Sequence, residues 1–484
     1  MKKDAKTQWM WLAIGIAIML VFRFLPAPAG LSASGMQVIG ILVGGIVLWL
    51  TLGTTWTSMF VLFALCTVTD LTVRGVYSGS FGHTTVVLMV YCYMLAACLT
   101  KSGVARRIAI WFLTNKTARK SPWGCVAMFM SAVFVLNSLL PSSAGILVTL
   151  PILTEMLIEV GCEQGKPTGL TCYMALGCVV MGCLANGANP IAHAVTIQGM
   201  GYFNSFTGGT IDFFQMVSVL EPVAIICAVI YYLVGRYIWK PDVSALSALD
   251  YDSLAASVGP MTKKARWSAW MYALVVIMWV IPGVSKYIAP GAYVFLSKID
   301  QTYPPIIALV IMGLVEVDGE KVLDFKDAMA NASWGIFLFI ASVMAVGSAM
   351  SNADIGISAW LAETMSPLFS GISPTMFIII AVVFLVTLTN FTSNSVVVAL
   401  GFTIFMPLCT TVYADTINTT LMGLMIINAS QHSWSTPPAT PANAIAIGSG
   451  WLDTGEMFKW GMLVAGINCV ILVVVGQLLG SVFC

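Results

Sequence analysis

The chain has 484 residues, of which 59% are hydrophobic and only 9% are charged, and its formal net charge at pH 7 is +1. A soluble domain carries a charge on roughly one residue in four, so this composition excludes a soluble globular protein and indicates a polytopic membrane protein. The nearly balanced charge gives no sign of a nucleic-acid partner. The apolar composition implies that the protein is surrounded by membrane lipid.

Long uncharged stretches recur along the chain. Each is about as long as the roughly 20 residues that cross a bilayer as a helix, or longer. Because a backbone in hydrocarbon must form its own hydrogen bonds, these stretches predict an all-α protein with many membrane-spanning helices. The stretches are 36–69, 84–100, 121–154, 267–285, 329–353, 367–414 and 462–484.

Basic residues predict the orientation in the membrane. Lys2, Lys3 and Lys6 precede the first apolar segment, six basic residues fill the loop at 101–120, and five more bracket the segment at 236–266. Cytoplasmic loops carry an excess of Lys and Arg, so we expect a multi-pass protein of the inner (cytoplasmic) membrane with a cytoplasmic N-terminus. The further spans that follow at once favour an uncleaved first helix over a secretory signal.

Two apolar segments of the first half are interrupted by residues that break helices. They read LNSLLPSSAGILVTLPI at 136–152 and LANGANPIAH at 184–193. Proline lacks an N–H group and glycine lowers helix stability, so both segments predict interrupted helices.

The polar segment at 240–266 is the one clear linker and divides the chain into two halves. The second half repeats the pattern of the first, with TLTNFTSNSVVVAL at 387–400 and SWSTPPATPANAIAIGSG at 433–450.

The spacing of the interruptions is the same in both halves. Ser142 and Asn189 are 47 positions apart, and so are Ser393 and Thr440. We interpret the halves as an internal repeat.

Interrupted helices inside a membrane are typical of secondary transporters. Non-helical backbone at membrane depth is tolerated only where it is buried in protein or lines a wet cavity. A helix that begins there directs free N–H groups and its positive dipole end at an anion, while carbonyl and hydroxyl oxygens suit a small cation. Paired interruptions therefore predict a central binding site, and we expect a transporter rather than an enzyme.

The second half resembles a known family. SNSVVVAL at 393–400 and ATPANAIAIGSG at 439–450 are similar to the Ser-Asn-Thr hairpin tip and the Ala-Thr-Pro-Pro-Asn-Ala-Ile loop of the divalent anion/sodium symporter (DASS) family, which includes dicarboxylate, citrate and sulfate carriers. The first half departs from that pattern, because Pro141-Ser142-Ser143 stands where Ser-Asn-Thr is expected and NGANPIA replaces Gly-Thr-Pro-Pro-Asn.

The resemblance implies two inverted repeats with about eleven transmembrane helices, two re-entrant hairpins that enter from opposite sides, a homodimer, an elevator-type movement and a C-terminus outside the cell. The expected segments are an N-terminal helix and loop at 1–35, a first repeat at 36–240 (hairpin about 122–160, broken helix about 170–205), a cytoplasmic linker at 241–266, and a second repeat at 267–484 (hairpin about 371–412, broken helix about 417–447).

The resemblance also implies the residues of a site for a small anion and for Na⁺ as coupling ion, with no other cofactor. For the substrate they are Ser142, Ser143, Asn189, Asn394, Ser395, Thr440 and Pro441. For Na⁺ they are Ser138, Ser142, Gly187, Thr389, Ser393, Asn394, Ala439 and Asn443.

Two histidines flank the interruptions. His193 and His432 could carry a proton or contact an anion, or they could be hydrogen-bonded packing residues, and both interpretations stay open. The missing asparagine of the first tip favours, as an alternative to Na⁺ symport, an anion exchanger or an H⁺-coupled carrier. A membrane hydrolase that uses Ser435 and His432 is a remote alternative, since no acidic partner for a triad is evident.

The sequence does not select the anion. Dicarboxylate, tricarboxylate, sulfate and sulfonate need the same hydrogen-bond donors, and no intramembrane pair of basic residues sets a carboxylate spacing.

Overall fold

The computed structural model describes residues 5–191, 193–296, 298–330 and 334–484. Lys2 and Lys3, on which part of the orientation prediction rests, lie outside the described residues. So do the side chains of Ser142 and Ser143, although their backbone begins a helix.

The first half is helical apart from short connections. Its helices are α1 (Ala5–Phe24), α2 (Ala33–Leu52), α3 (Thr55–Leu65), α4 (Val73–Ser78), α5 (Thr84–Lys101), α6 (Val104–Leu113), α7 (Lys116–Lys120), α8 (Pro122–Leu139), α9 (Ser142–Glu159), α10 (Gly169–Ala188), α11 (Ala194–Thr207) and α12 (Phe213–Val234), which a π-helical turn continues to Trp239.

The linker contains a 3₁₀ turn (Ser244–Ala248) and α13 (Tyr251–Ala256). The helices of the second half are α14 (Lys263–Ile288), α15 (Pro290–Leu296), α16 (Tyr303–Leu314), α17 (Phe325–Ala330), α18 (Trp334–Ser351), α19 (Ile357–Phe369), α20 (Pro374–Thr389), α21 (Asn394–Thr411), α22 (Thr419–Ala429), α23 (Pro441–Gly448) and α24 (Thr454–Phe483).

The described residues confirm the all-α class with one small correction. An antiparallel ribbon pairs β1 (Glu316–Val317) with β2 (Glu320–Lys321). Asp318 and Gly319 connect the strands with φ of 53° and 83°, the left-handed conformations that an Asp-Gly hairpin turn adopts readily.

The polytopic membrane class is also confirmed. Ten helices of the described chain are long and apolar enough to cross a membrane, or eleven if α19 and α20, which meet at 113°, are taken as one bent span. Helix α10 lies at the centre of the molecule, since nearly all of its residues are buried. A helix that is apolar on all sides needs such a position.

Four interruptions divide apolar segments of the chain. The first tip, residues 140–141, joins α8 to α9, and the second tip, residues 390–393, joins α20 to α21. The first break, residues 189–193, separates α10 from α11, and the second break, residues 430–440, separates α22 from α23; Ala192 in the first break lies outside the described residues.

The two halves interlock around these interruptions. Helix α9 of the first half packs on α10 and on α23 of the second half, while α21 of the second half packs on α22 and on α11 of the first. Both breaks therefore lie between helices of the two halves, which is the arrangement that a shared central site requires.

Helix α24 packs closely on the second break. The Gly461 carbonyl accepts a hydrogen bond from Trp434 Nε1 at 3.0 Å, and a methyl group on Gly461 would come 2.8 Å from Ser435 Cα. Gly466 lies on the same helix, and a methyl group there meets no atom of the described chain within 4 Å.

We expect Gly461→Ala to lower the free energy of unfolding by about 1–3 kcal/mol, because the added methyl must displace backbone. Gly466→Ala is the matched control, and it should be neutral or stabilising by up to about 1 kcal/mol through helix propensity. Thermal unfolding of both variants in detergent measures the difference. Equal midpoints would contradict the close packing of α24 on the second break.

Candidate functional site

Asn390 fastens the second tip to the second break. Its side-chain Nδ2 donates to Val386 O at 2.7 Å and to His432 O at 2.8 Å, while its Oδ1 accepts from Ser435 N at 2.8 Å. The Asn390 carbonyl also accepts from the Thr436 hydroxyl. This fully buried amide thus replaces the helical hydrogen bonds that the break has lost.

Asn394 makes a second set of bonds between the same segments. Its Nδ2 donates to Gln431 Oε1 at 3.0 Å and to Ser433 Oγ at 2.8 Å. The Thr389 hydroxyl lies 3.0 Å from Asn394 Oδ1 and 2.7 Å from Ser430 O. Thr389 and Asn394, both predicted from the sequence, therefore come together, and the Asn394 amide N–H groups are already in use.

The second break ends on a helix cap. Thr440 precedes Pro441, the first residue of α23, and its hydroxyl accepts from Asn443 N at 3.2 Å. The same hydroxyl donates to Asn443 Oδ1 at 2.7 Å. Asn443 Nδ2 donates to Ser433 O and Thr436 O at 2.8 and 2.7 Å, so this side chain fixes the path of the break.

Ser393 and Ser395 differ from these residues. Ser393 precedes α21 without a side-chain capping bond, and Ser395 lies in its first turn. Within the described chain neither hydroxyl forms a hydrogen bond. The Ser393 carbonyl accepts from Val396 N and Val397 N, both at 3.0 Å, and the Ser395 carbonyl accepts from Gln198 Nε2 at 2.9 Å. Both hydroxyls are therefore available to a ligand. Ala439, also predicted, is buried beside the cap of α23.

The first tip and the first break meet at His193. Its Nδ1 lies 2.8 Å from Asn189 O, and its Nε2 lies 2.6 Å from Asn137 O and 3.1 Å from Leu140 O. The Asn189 side chain bonds locally, with Oδ1 accepting from Ile191 N at 3.0 Å. His193 thus holds the first tip against the first break.

Other predicted residues of the first half have more ordinary surroundings. The Ser138 hydroxyl donates to Phe134 O at 3.1 Å, which is the common bond of a serine within a helix. Gly187 lies in the last turn of α10, and its carbonyl accepts from Asn428 Nδ2 at 3.1 Å. Ser142 and Ser143 begin α9, and their side chains lie outside the described part.

Side-chain amides connect the halves across the centre. Asn428 Nδ2 donates to Gly187 O, Gln431 Nε2 donates to Thr196 Oγ1 at 3.2 Å, and Gln198 Nε2 donates to Ser395 O. The sequence analysis missed Asn390, Gln198 and Gln431. The one feature of the sequence that could have identified these three residues is an uncharged amide side chain within or beside an apolar segment.

His432 is less completely bonded than His193. Its Nδ1 lies 2.9 Å from Asn428 O, its ring packs on Trp434 at 4.8 Å between centroids, and its Nε2 is buried without a partner in the described chain. The Ser435 hydroxyl likewise has no partner there. No Ser–His bond of a hydrolase exists between them.

The chemistry of the site is that of neutral oxygen and nitrogen groups. Among the described residues no group of three or more His, Cys, Asp or Glu side chains could hold a metal ion. A cation at this site would be held by hydroxyl, amide and carbonyl oxygens, which a hard monovalent ion accepts. The N-terminal ends of α21 and α23 offer an anion partial positive charge.

Comparison with known proteins gives the family context. The model of the sodium:sulfate symporter transmembrane region matches residues 6–484, which confirms the resemblance drawn from the second-half motifs. A sodium-dependent dicarboxylate transporter of Staphylococcus saprophyticus is 22% identical over 98% of this chain and 92% of its own. An L-tartrate/succinate antiporter of Escherichia coli is 19% identical over 98% of both chains.

Solved structures of similar fold are also transporters. The Alcanivorax borkumensis YdaH transporter has a TM-score of 0.53 at 12% identity and covers 98% of this chain and 96% of its own. Neisseria gonorrhoeae MtrF, described as one of a class of antimetabolite efflux pumps, has a TM-score of 0.52 at 11% identity and covers 97% of this chain and 94% of its own. At these identities the likeness supports the fold alone.

The hydrogen bonds of the Asn390 side chain predict that this residue stabilises the folded protein. Asn390→Ala leaves the Ser435 N–H and the His432 carbonyl unpaired, and each buried orphan group costs about 1–3 kcal/mol. We therefore expect a clear drop in the midpoint of thermal unfolding in detergent. Ser395→Ala, which removes an unbonded hydroxyl from the same region, is the control and should unfold like wild type. A drop of the same size in both variants would contradict this assignment.

Proposed function

The chain belongs to the family of sodium:sulfate symporter transmembrane regions, and from that membership we propose that it is a secondary active transporter of a small, dicarboxylate-like dianion, with Na⁺ as its coupling ion. The observation that carries the proposal is the convergence of the second tip and the second break. Amide side chains fasten the two segments there, while the hydroxyls of Ser393 and Ser395 remain unbonded.

The proposed anion site uses the ends of interrupted helices. Ser395, Thr440 and Pro441 lie at the N-terminal turns of α21 and α23, where the helix dipole favours negative charge. In the first half we propose Ser142, Ser143 and Asn189. Asn394 belongs to the same site, but its engaged amide suits a positioning role, because its N–H groups already bond Gln431 and Ser433.

The proposed Na⁺ ligands are oxygens around the second tip. Thr389, Ser393, Asn394 and Asn443 supply side-chain oxygens, and Ala439 supplies a carbonyl. In the first half the candidates are Ser138, Ser142 and Gly187, whose carbonyl keeps one lone pair beside its bond to Asn428.

The names of two relatives support a dicarboxylate. One is called a sodium-dependent dicarboxylate transporter and the other an L-tartrate/succinate antiporter, and succinate and tartrate are both dicarboxylates. The same names differ in coupling, since one protein depends on sodium and the other exchanges anions. Exchange or H⁺ coupling is therefore the second candidate.

His193 favours this second candidate. Backbone carbonyls only accept hydrogen bonds, and both ring nitrogens of His193 face such carbonyls at 2.6 to 3.1 Å. A neutral imidazole donates from one nitrogen only, so a proton taken up by His193 would add a hydrogen bond at the first tip, which suits an H⁺-coupled carrier.

We also propose two inverted repeats, at 36–240 and 267–484, an elevator-type movement and a homodimer, as the resemblance implies. We place the N-terminus in the cytoplasm of the cell and the C-terminus outside. Contacts between the two basic regions support this orientation, because Arg107 Nη2 donates to Pro260 O at 2.9 Å and Arg119 pairs with Asp252 at 2.7 Å. The two regions therefore lie on one side of the membrane.

Uptake into proteoliposomes tests the proposed function. We expect the purified protein to take up labelled succinate faster with an inward Na⁺ gradient than with K⁺, and unlabelled dicarboxylates to compete. Stimulation of labelled succinate entry by internal succinate, with Na⁺ removed, would favour exchange. Failure to move succinate, citrate, sulfate or a sulfonate under either condition would reject the function.

Ser393 tests the proposed Na⁺ site. Because its hydroxyl makes no bond in the described chain, Ser393→Ala should leave unfolding unchanged while it removes one cation ligand. We expect the Na⁺ concentration for half-maximal uptake to rise roughly tenfold, which corresponds to about 1.4 kcal/mol. Ser370→Ala, an exposed hydroxyl before α20, is the control. An unchanged Na⁺ dependence in Ser393→Ala would remove this residue from the site.

A further inference from the structure

Glu221 is an acidic residue inside a membrane-spanning helix. The span runs from Phe213 to Trp239, and Glu221 lies about 8 Å along the axis from its middle, at 1.5 Å per residue. In the ten described span candidates the only other acidic residue is Glu456, in the first turn of α24. An ionisable group at such depth is rare and is commonly functional.

The surroundings of the Glu221 side chain are mostly apolar. Glu221 lines a half-open cavity of about 450 Å³ between α8, α10 and α12, whose outer side includes the exposed Ile225 and Val229. Its Oε2 is buried and has no hydrogen-bond partner in the described chain. The polar group beside it is the side-chain amide of Asn189 in the first break. The apolar wall includes Met130, Phe134, Met181, Ala228 and Val229.

No charged group balances this carboxylate. None of the ion pairs in the described chain includes Glu221. The charged residues of α14 and α24 lie near the helix ends, Arg236 lies in the π-helical turn that follows α12, and the His193 ring contacts the backbone carbonyl of Asn189. The other titratable side chains on α12 with its π-helical continuation, and on the helices packed against it, are Cys172, Tyr173, Cys178, Cys183, Cys227, Tyr231, Tyr232, Arg236, Tyr237, Lys263, Lys264, Arg266, Tyr272, Lys286, Tyr287, Glu456, Lys459 and Cys469, and Cys125 lies on α8.

The donor set around Glu221 suits a proton and not a metal cation. A hard cation needs several oxygen ligands. Besides Glu221, the only side-chain oxygens among the residues that line the cavity are the hydroxyls of Ser131 and Tyr232, which is too few for such a cation. A single carboxylate against an apolar wall becomes compatible with hydrocarbon when it binds one proton.

We propose that Glu221 is a proton-binding site of the transport cycle, so that one H⁺ adds to its carboxylate as the dianion binds and leaves as the dianion is released. The inference rests on the proposed function and adds H⁺ to it as a second coupling ion. The bond that forms is O–H on the carboxylate, the proton comes from hydronium on the side where the dianion binds, and it returns to water on the side where the dianion is released.

Asn189 connects this proton site to the substrate region. Its side chain lies beside Glu221, and its backbone carbonyl faces His193 Nδ1 at 2.8 Å. The protonation state of Glu221 therefore acts directly on the first break, which contains a proposed substrate residue. Binding of the proton and of the dianion are coupled through one short segment.

Proton-driven uptake in proteoliposomes tests the proposal. Labelled succinate is supplied with an inward gradient of about one pH unit, with Na⁺ equal on both sides and the membrane potential clamped. One coupled proton supports roughly tenfold accumulation, and we expect wild type to approach it. Glu221→Gln should lose this accumulation and the pH dependence of uptake, while it retains succinate counterflow. Ser131→Ala, which changes the same cavity, should behave as wild type.

The outcomes separate this proposal from the proposed function. Proton-driven accumulation in Glu221→Gln equal to wild type would overturn the role of Glu221, and so would a wild type that transports succinate without response to the pH gradient. A wild type that moves no dianion at all would instead reject the function. If Glu221→Gln is inactive in both assays, Glu221→Asp decides, because recovery of proton-driven uptake supports a titrating carboxyl and its absence rejects one.

Discussion

The fold depends on one constraint: inside hydrocarbon, every backbone N–H and C=O group must find a partner within the protein. Four interruptions of helices leave such groups without helical partners. Asn390 satisfies the second break with two side-chain bonds and one backbone bond, and His193 contacts carbonyls of the first tip and first break. Polar side chains in these segments are therefore first a condition of folding. Only the groups left over can serve a ligand.

This distinction sorts the polar residues at the centre of the molecule. Asn390, Asn394 and Asn443 have amides whose N–H groups are fully used, so they fix geometry. The hydroxyls of Ser393 and Ser395 form no hydrogen bond in the described chain. A binding site needs both classes, because donors aimed at a ligand retain their direction only when the segment that carries them is rigid.

The sequence predicted a good deal of this arrangement, because its main signals are local. Charge-free stretches predicted the spans, and clusters of Pro, Gly, Asn and Ser predicted the interruptions. The hydrogen bonds between the two halves could not be predicted from local signals. Those from Gln431 to Thr196 and from Gln198 to Ser395 join residues that only tertiary packing brings together. The two halves share the spacing of 47 positions, but their breaks differ in length. The first break spans 189–193, whereas the second spans 430–440 and needs more side-chain support.

The difference between the two halves also affects the energetics of transport. A dianion that enters a cell with a negative interior moves against about 2.3 kcal/mol per charge per 100 mV, or about 4.6 kcal/mol in all. In the proposed function the second half supplies one Na⁺ site, formed by oxygens around the second tip. One Na⁺ and one H⁺ on Glu221 then balance the two charges of the substrate. Uptake becomes electrically neutral, so that chemical gradients of Na⁺ and H⁺ drive it and the membrane potential does not oppose it.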